Sequence, residues 1–132
     1  ANILTGRTVL TIAGDGDFLM NGQELATAVQ HGAKSIIVLL NNGTFGTIRM
    51  HQEREYPTRV SGSGLQNPDF CALARAYGYA AARVEKTEEF EPALLQALSA
   101  SGGTVIEVML DANIITTRST LDTITQQALS KT

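Results

Sequence analysis

The chain has 132 residues, enough for one domain with a real core and too few for two ordinary ones. Ten basic residues against thirteen acidic give a net charge of −3, and the basic residues are scattered, so nucleic acid or an anionic membrane would find no electrostatic footprint. A single cysteine, Cys71, excludes an internal disulfide and a paired-cysteine zinc site.

Thr8 to Ala13 is a short β-branched, apolar run that ends at Gly14 and reads as a buried strand. Asn21 with Glu24 three residues on has capping-box spacing, predicting a helix that opens at Asn21 and closes at Gly32, with His31 at its C-terminal end. Ser35 to Leu40 is a second buried strand, followed by Asn41-Asn42-Gly43. A polar stretch runs to Gly64; in it, Arg49, Glu53, Arg54 and Glu55 read as a solvated charge run. Asn67-Pro68 is expected to open a helix with proline in its first position and Phe70, Leu73, Ala74 and Tyr77 on its apolar face, stopped by Gly78. Strand (80–84), helix (87–100, its first turns made irregular by Pro92) and strand (104–110) follow, then a polar tail from about Thr116. Strands alternating with helices predict an α/β fold: a doubly wound, mainly parallel sheet with helices on both faces.

Ligands of open parallel sheets bind beyond the carboxyl ends of the strands. Two such ends carry unusual residues here, Gly14-Asp15-Gly16-Asp17 and Asn41-Asn42-Gly43-Thr44. If the two strands are neighbours, Asp15 and Asn42 meet across a long stretch of sequence. A carboxylate, an amide oxygen and carbonyls freed by glycine turns make a hard-oxygen cage suited to Mg²⁺ or Ca²⁺, with water or phosphate completing it. Gly14 and Gly16 let backbone approach a bulky anion, and a helix N-terminus nearby favours negative charge. Better-known loops fail: Leu19 breaks GxGxxG, no GK[ST] follows for a Walker A loop, and Met20 and Ala26 break an EF-hand.

Gly-Asp-Gly followed at this spacing by Asn-Asn resembles the signature of thiamine diphosphate (ThDP) dependent enzymes, and the run Gly14 to Ala28 resembles the acetolactate-synthase-like group. Leu39 to Gly46 and Asn67-Pro68-Asp69-Phe70 continue the resemblance, which covers about Arg7 to Leu110. It implies ThDP and Mg²⁺ as cofactors, with Asp15, the Asn42 side chain and the Thr44 carbonyl on the metal. Gly14, Gly16, Asp17 and Phe18 would line the diphosphate, with Asn42, Thr44, Phe45 and Gly46 completing the cofactor site. It also implies a 2-keto acid substrate and C–C bond chemistry carried by the cofactor.

The same resemblance implies elements outside these residues: a pyrimidine-binding domain with an activating glutamate, from this or another chain, and an apolar residue upstream of the GDG. Only 13 residues precede Gly14, so the expectation is a ThDP-binding fold truncated at its N-terminal side, spanning residues 1–132 of a larger, homo-oligomeric enzyme and inactive alone. Pyruvate-decarboxylase types carry an acidic residue where this chain has Ile48, and acetohydroxyacid synthases tend to carry Met and Trp where it has Thr47 and His51. The Asn41–Gly46 segment with Arg49 also resembles benzoylformate decarboxylase. A lyase domain of that type is one alternative, and a non-catalytic α/β phosphate- or nucleotide-binding module is another. His51 is the candidate substrate-facing residue. Asn41 is expected to satisfy backbone groups at its strand end, and Cys71 to be a packed core thiol. No signal peptide opens the chain, and its longest apolar run, Ile36 to Leu40, cannot span a bilayer, so the expected address is cytoplasmic.

Overall fold

The computed structural model describes residues 1–131. They form two compact units, one of Ala1–Asn41 with Asn67–Met109, the other of Asn42–Gln66 with Leu110 onward.

The first unit is built on four parallel strands: β1 (Val9–Gly14), β2 (Ser35–Asn41), β3 (Ala80–Val84) and β4 (Thr104–Met109). Their order is β1-β2-β4-β3, and the two central strands, β2 and β4, are the most buried. Alternation sorts their side chains. Ile37, Leu39 and Val105 face one side, where Phe18, Leu25, Phe70, Ala74 and Tyr79 complete a core. Ile36 and Ile106 face the other, against Val84, Ala97, Phe90, Ala93 and Leu94. The first side is covered by α2 (Asp15–Asn21), α3 (Glu24–Gln30) and α5 (Phe70–Ala76), the second by α6 (Phe90–Ser99). Parallel strands with helices on both faces are the doubly wound α/β arrangement expected.

Three local expectations change. β1 is an edge strand rather than a buried one: it pairs only with β2, and Ile12 is 67% exposed because no helix among the described residues covers its side chain. The first helix opens at Asp15 rather than Asn21, which is the last residue of α2; α3 begins after Gln23 with no side-chain cap, so Asn21 and Glu24 form no capping box. Pro68 lies outside α5, whose N-cap is Asp69, its Oδ1 accepting from Ala72 N at 2.8 Å. A single 3₁₀ turn, Thr87–Glu89, precedes α6, the irregular start expected ahead of Pro92. A short α1 (Asn2–Thr5), unforeseen from the pattern, ends at Gly6 in the left-handed conformation.

The second unit holds α4 (Gly46–Glu55) and α7 (Leu121–Leu129), which pack on each other. Both correct the reading of these stretches as polar loop and polar tail. The hydroxyl of Thr120 caps α7 by accepting from Thr123 N at 3.1 Å, and Leu121 and Ile124 are its buried face. Asn113 ties the preceding loop to it, donating to Asp122 Oδ2 at 2.8 Å and accepting from Asp122 N at 3.1 Å.

Candidate functional site

β1 and β2 run side by side with Gly14 opposite Leu40, so the GDG turn lies along the end of β2 that carries Asn41. Asp15 starts α2 and is only 3% exposed. Its Oδ1 accepts from Gly16 N at 2.9 Å and its Oδ2 from Asn67 Nδ2 at 2.7 Å. The same Asn67 amide donates to Asn41 Oδ1 at 2.9 Å, and Asn41 in turn donates from Nδ2 to Glu107 Oε1 at 2.7 Å. A polar chain thus runs from Asp15 through Asn67 and Asn41 to Glu107 on β4, which is 2% exposed. Asn41 thus turns its NH₂ to Glu107 and its oxygen to Asn67. Asn67 must then turn its NH₂ to Asn41 and Asp15. Gly14 has its own steric reason: a Cβ there would sit 3.1 Å from Asp17 Oδ2. Asp17 is exposed, whereas Gly16 is buried. The Phe18 ring is in the core, edge-on to Phe70 with centroids 5.7 Å apart.

In the other unit, Asn42 Oδ1 accepts from Thr44 N at 3.1 Å, an Asx turn around Gly43, whose φ is +66°. The turn is stapled to Ser63–Leu65: Thr44 Oγ1 donates to Ser63 O at 2.6 Å, Phe45 N to Ser63 O at 2.8 Å and Leu65 N to Gly43 O at 2.9 Å. Gly46 opens α4 where a Cβ would lie 2.6 Å from Ile115 Cδ1 and 3.2 Å from Asn42 Nδ2. His51 stands on α4, exposed, not on a loop.

Residues 1–108 match the family described as thiamine pyrophosphate enzyme, C-terminal TPP-binding domain. The chain belongs to this family. It is 38% identical over 103 residues to an acetolactate synthase of Arthrospira platensis, covering 76% of this chain and 18% of that one. It is 40% identical over 96 residues to the acetolactate synthase isozyme 3 large subunit of Escherichia coli, covering 72% and 17%. The mitochondrial acetolactate synthase catalytic subunit of Saccharomyces cerevisiae is 38% identical over 106 residues, covering 80% and 15%. The chain spans less than a fifth of the length of these relatives.

Within this TPP-binding domain the sequence pattern missed three polar residues. Asn67 and Glu107 belong to the chain that ends on Asp15. The signal for Glu107 was a carboxylate in the middle of an apolar strand. Glu53 is the third: read as solvated, it is 3% exposed. It pairs with Arg49 at 2.8 Å and accepts from Thr58 N and Thr125 Oγ1, both at 2.9 Å. The Thr58 N–H above all, with Thr125 and Arg49, holds its carboxyl below the usual range against the opposing effect of burial. Cys71 is a core thiol as expected. Burial first, then the neighbouring Glu107 carboxylate, pushes its pKa up to about 11, and its Sγ donates to Glu107 Oε2 at 3.6 Å. That thiol is no nucleophile. No helix among the described residues is long and apolar enough to cross a membrane.

Proposed function

We propose that this chain is the diphosphate- and Mg²⁺-binding domain of an acetolactate-synthase-like enzyme that makes or breaks a C–C bond next to the carbonyl of a 2-keto acid. The observation that carries the reading is Asp15: a buried carboxylate at the carboxyl end of β1, held from two sides and flanked by glycines. Among the described residues no group of three or more His, Cys, Asp or Glu side chains forms a ligand cluster. A site with one carboxylate suits Mg²⁺, which keeps octahedral oxygen ligation by adding amide or carbonyl oxygens, water and substrate phosphates. A buried carboxylate at a strand end, oriented by the Gly16 N–H and the Asn67 amide, is the hard anionic oxygen ligand that Mg²⁺ takes, so Asp15 fits the metal.

In this reading Asp15, the Asn42 side chain and the Thr44 carbonyl give their oxygens to Mg²⁺. Gly14, Gly16, Asp17 and the backbone of Phe18 bound the diphosphate; the Phe18 ring is committed to the core. Phe45 and Gly46 carry the chain past the cofactor, and His51 faces the substrate side. ThDP, when bound, supplies the nucleophilic carbon and the electron sink. The protein's own work here is to hold metal and diphosphate in one orientation and to exclude alternative geometries. A pyrimidine-binding domain, in the same or a neighbouring subunit of a homo-oligomer, completes the site.

The test is Mg²⁺-dependent ThDP binding to the full-length polypeptide that carries this sequence. Asp15→Ala is expected to weaken the cofactor complex at least about a hundredfold, the scale of losing a direct metal ligand rather than one of its supporting partners. Binding of equal strength with and without Mg²⁺ overturns the reading.

A further inference from the structure

We propose that Asn67 is a positioning residue for the metal site, one amide that fixes the Asp15 carboxylate and ties it to the interior of the sheet. The proposal rests on the reading of Asp15 as a Mg²⁺ ligand. Its basis is the double donation of a single NH₂ group, 2.7 Å to Asp15 Oδ2 and 2.9 Å to Asn41 Oδ1. Asn67 is 52 positions from Asp15 and 26 from Asn41, so this is a tertiary clamp, not a local turn.

Two further observations point the same way. Asn67 Oδ1 is buried and has no hydrogen-bond partner. Rotating the amide would not cure this, because it would bring that oxygen against the oxygens of Asp15 and Asn41. The side chain therefore leaves an acceptor unmatched while both of its bonds serve acceptors at the strand ends, a pattern that sites tolerate and cores seldom do. The backbone is also fixed for the purpose. Pro68 restricts Asn67 to an extended conformation, and Asp69 immediately begins the cap of α5. Asn67 is thereby held between the sheet and a helix whose Phe70 and Ala74 are fully buried.

The consequence is orientational. Asp15 Oδ2 cannot rotate without losing Asn67, and Asn67 cannot follow without losing Asn41, which Glu107 anchors at 2.7 Å. Partners that orient a metal ligand in this way contribute roughly 10- to 100-fold to metal affinity.

The experiment measures Mn²⁺ binding by electron paramagnetic resonance, with ThDP present, in the full-length polypeptide. It compares the parent with Asn67→Ala, Asn67→Leu and Asp15→Ala, each scaled to the folded fraction by circular dichroism. Asn67→Leu nearly preserves volume, so it separates lost donation from a packing defect. The expected result is a roughly 10- to 100-fold higher Mn²⁺ dissociation constant in both Asn67 variants, with broadened resonance lines from a less ordered site. Asp15→Ala should abolish binding. Parent-like Mn²⁺ affinity in folded Asn67 variants, beside loss in Asp15→Ala, overturns the role of Asn67 alone. Parent-like affinity in Asp15→Ala overturns the underlying reading as well.

Discussion

Glu107 and Cys71 form a buried pair on which the end of β2 depends. The carboxylate accepts from Asn41 and from the thiol, and Arg83 Nε is 4.0 Å away. Removing it takes away the acceptor that the Asn41 amide meets at 2.7 Å. Glu107→Ala is expected to lower stability by about 3 kcal/mol in urea unfolding, and Glu107→Gln, which keeps an acceptor oxygen, by clearly less. A loss under about 0.5 kcal/mol in the alanine variant, the range of ordinary surface substitutions, would refute the anchoring role. Cys71 makes a separate test. With a pKa of about 11 against an ordinary 9.0, it should be alkylated by iodoacetamide at pH 8 at least roughly a hundredfold more slowly in the native chain than in urea. Equal rates would mean that the thiol is open. That Asp15 and Asn41 lie at the carboxyl ends of their strands was legible in the sequence, because each closes or follows an apolar run that stops at glycine or asparagine. Asn67 was not, because its meaning comes from partners that only the strand order brings near it.

The helices α4 and α7 show where pattern reading loses its grip. α4 has little apolar periodicity: Ile48 is 52% exposed, and the helix is held instead by the Arg49–Glu53 pair and by Glu53 itself. α7 does carry a readable signal, since a Thr cap followed by Leu121, Ile124 and Ala128 is helical spacing. By contrast the four strands and α3, α5 and α6 were legible from apolar runs and glycine stops, to within a few residues at each end. Glu53 adds a pH dependence. Its folded pKa lies below the unfolded value near 4.5, so its contribution is present above that value and is lost as pH falls through the folded pKa. Urea unfolding from pH 7 to pH 3 should therefore show a stability loss on acidification that is smaller in Glu53→Gln, while Glu53→Ala is about 1–3 kcal/mol less stable at pH 7. Identical acid limbs in parent and Glu53→Gln would show that this carboxylate carries none of the dependence.

The bare side of β1 belongs to the chain as a whole. Leu10 and Ile12 stand on an edge strand with much of their surface exposed, in a chain that spans less than a fifth of its relatives' length. Exposed apolar surface of this kind marks an interaction surface. The sequence alone was enough for the class of fold and the family, since both rest on strand-helix alternation and on two short motifs at strand ends. The sequence could not show that β1 stands at the edge, because an apolar run looks the same whether or not a helix covers it. A polypeptide of these 132 residues alone is expected to turn over no pyruvate with ThDP and Mg²⁺ supplied, and to show a mass that rises with concentration in sedimentation. Measurable turnover would mean that the reaction needs no further domain.

The decisive measurement is calorimetric titration of ThDP into the full-length polypeptide, with Mg²⁺ and with the metal chelated, for the parent and Asp15→Ala. Binding that requires Mg²⁺ and disappears in Asp15→Ala is the predicted result. Undiminished binding in Asp15→Ala would contradict the assignment of the metal and diphosphate to the carboxyl end of β1.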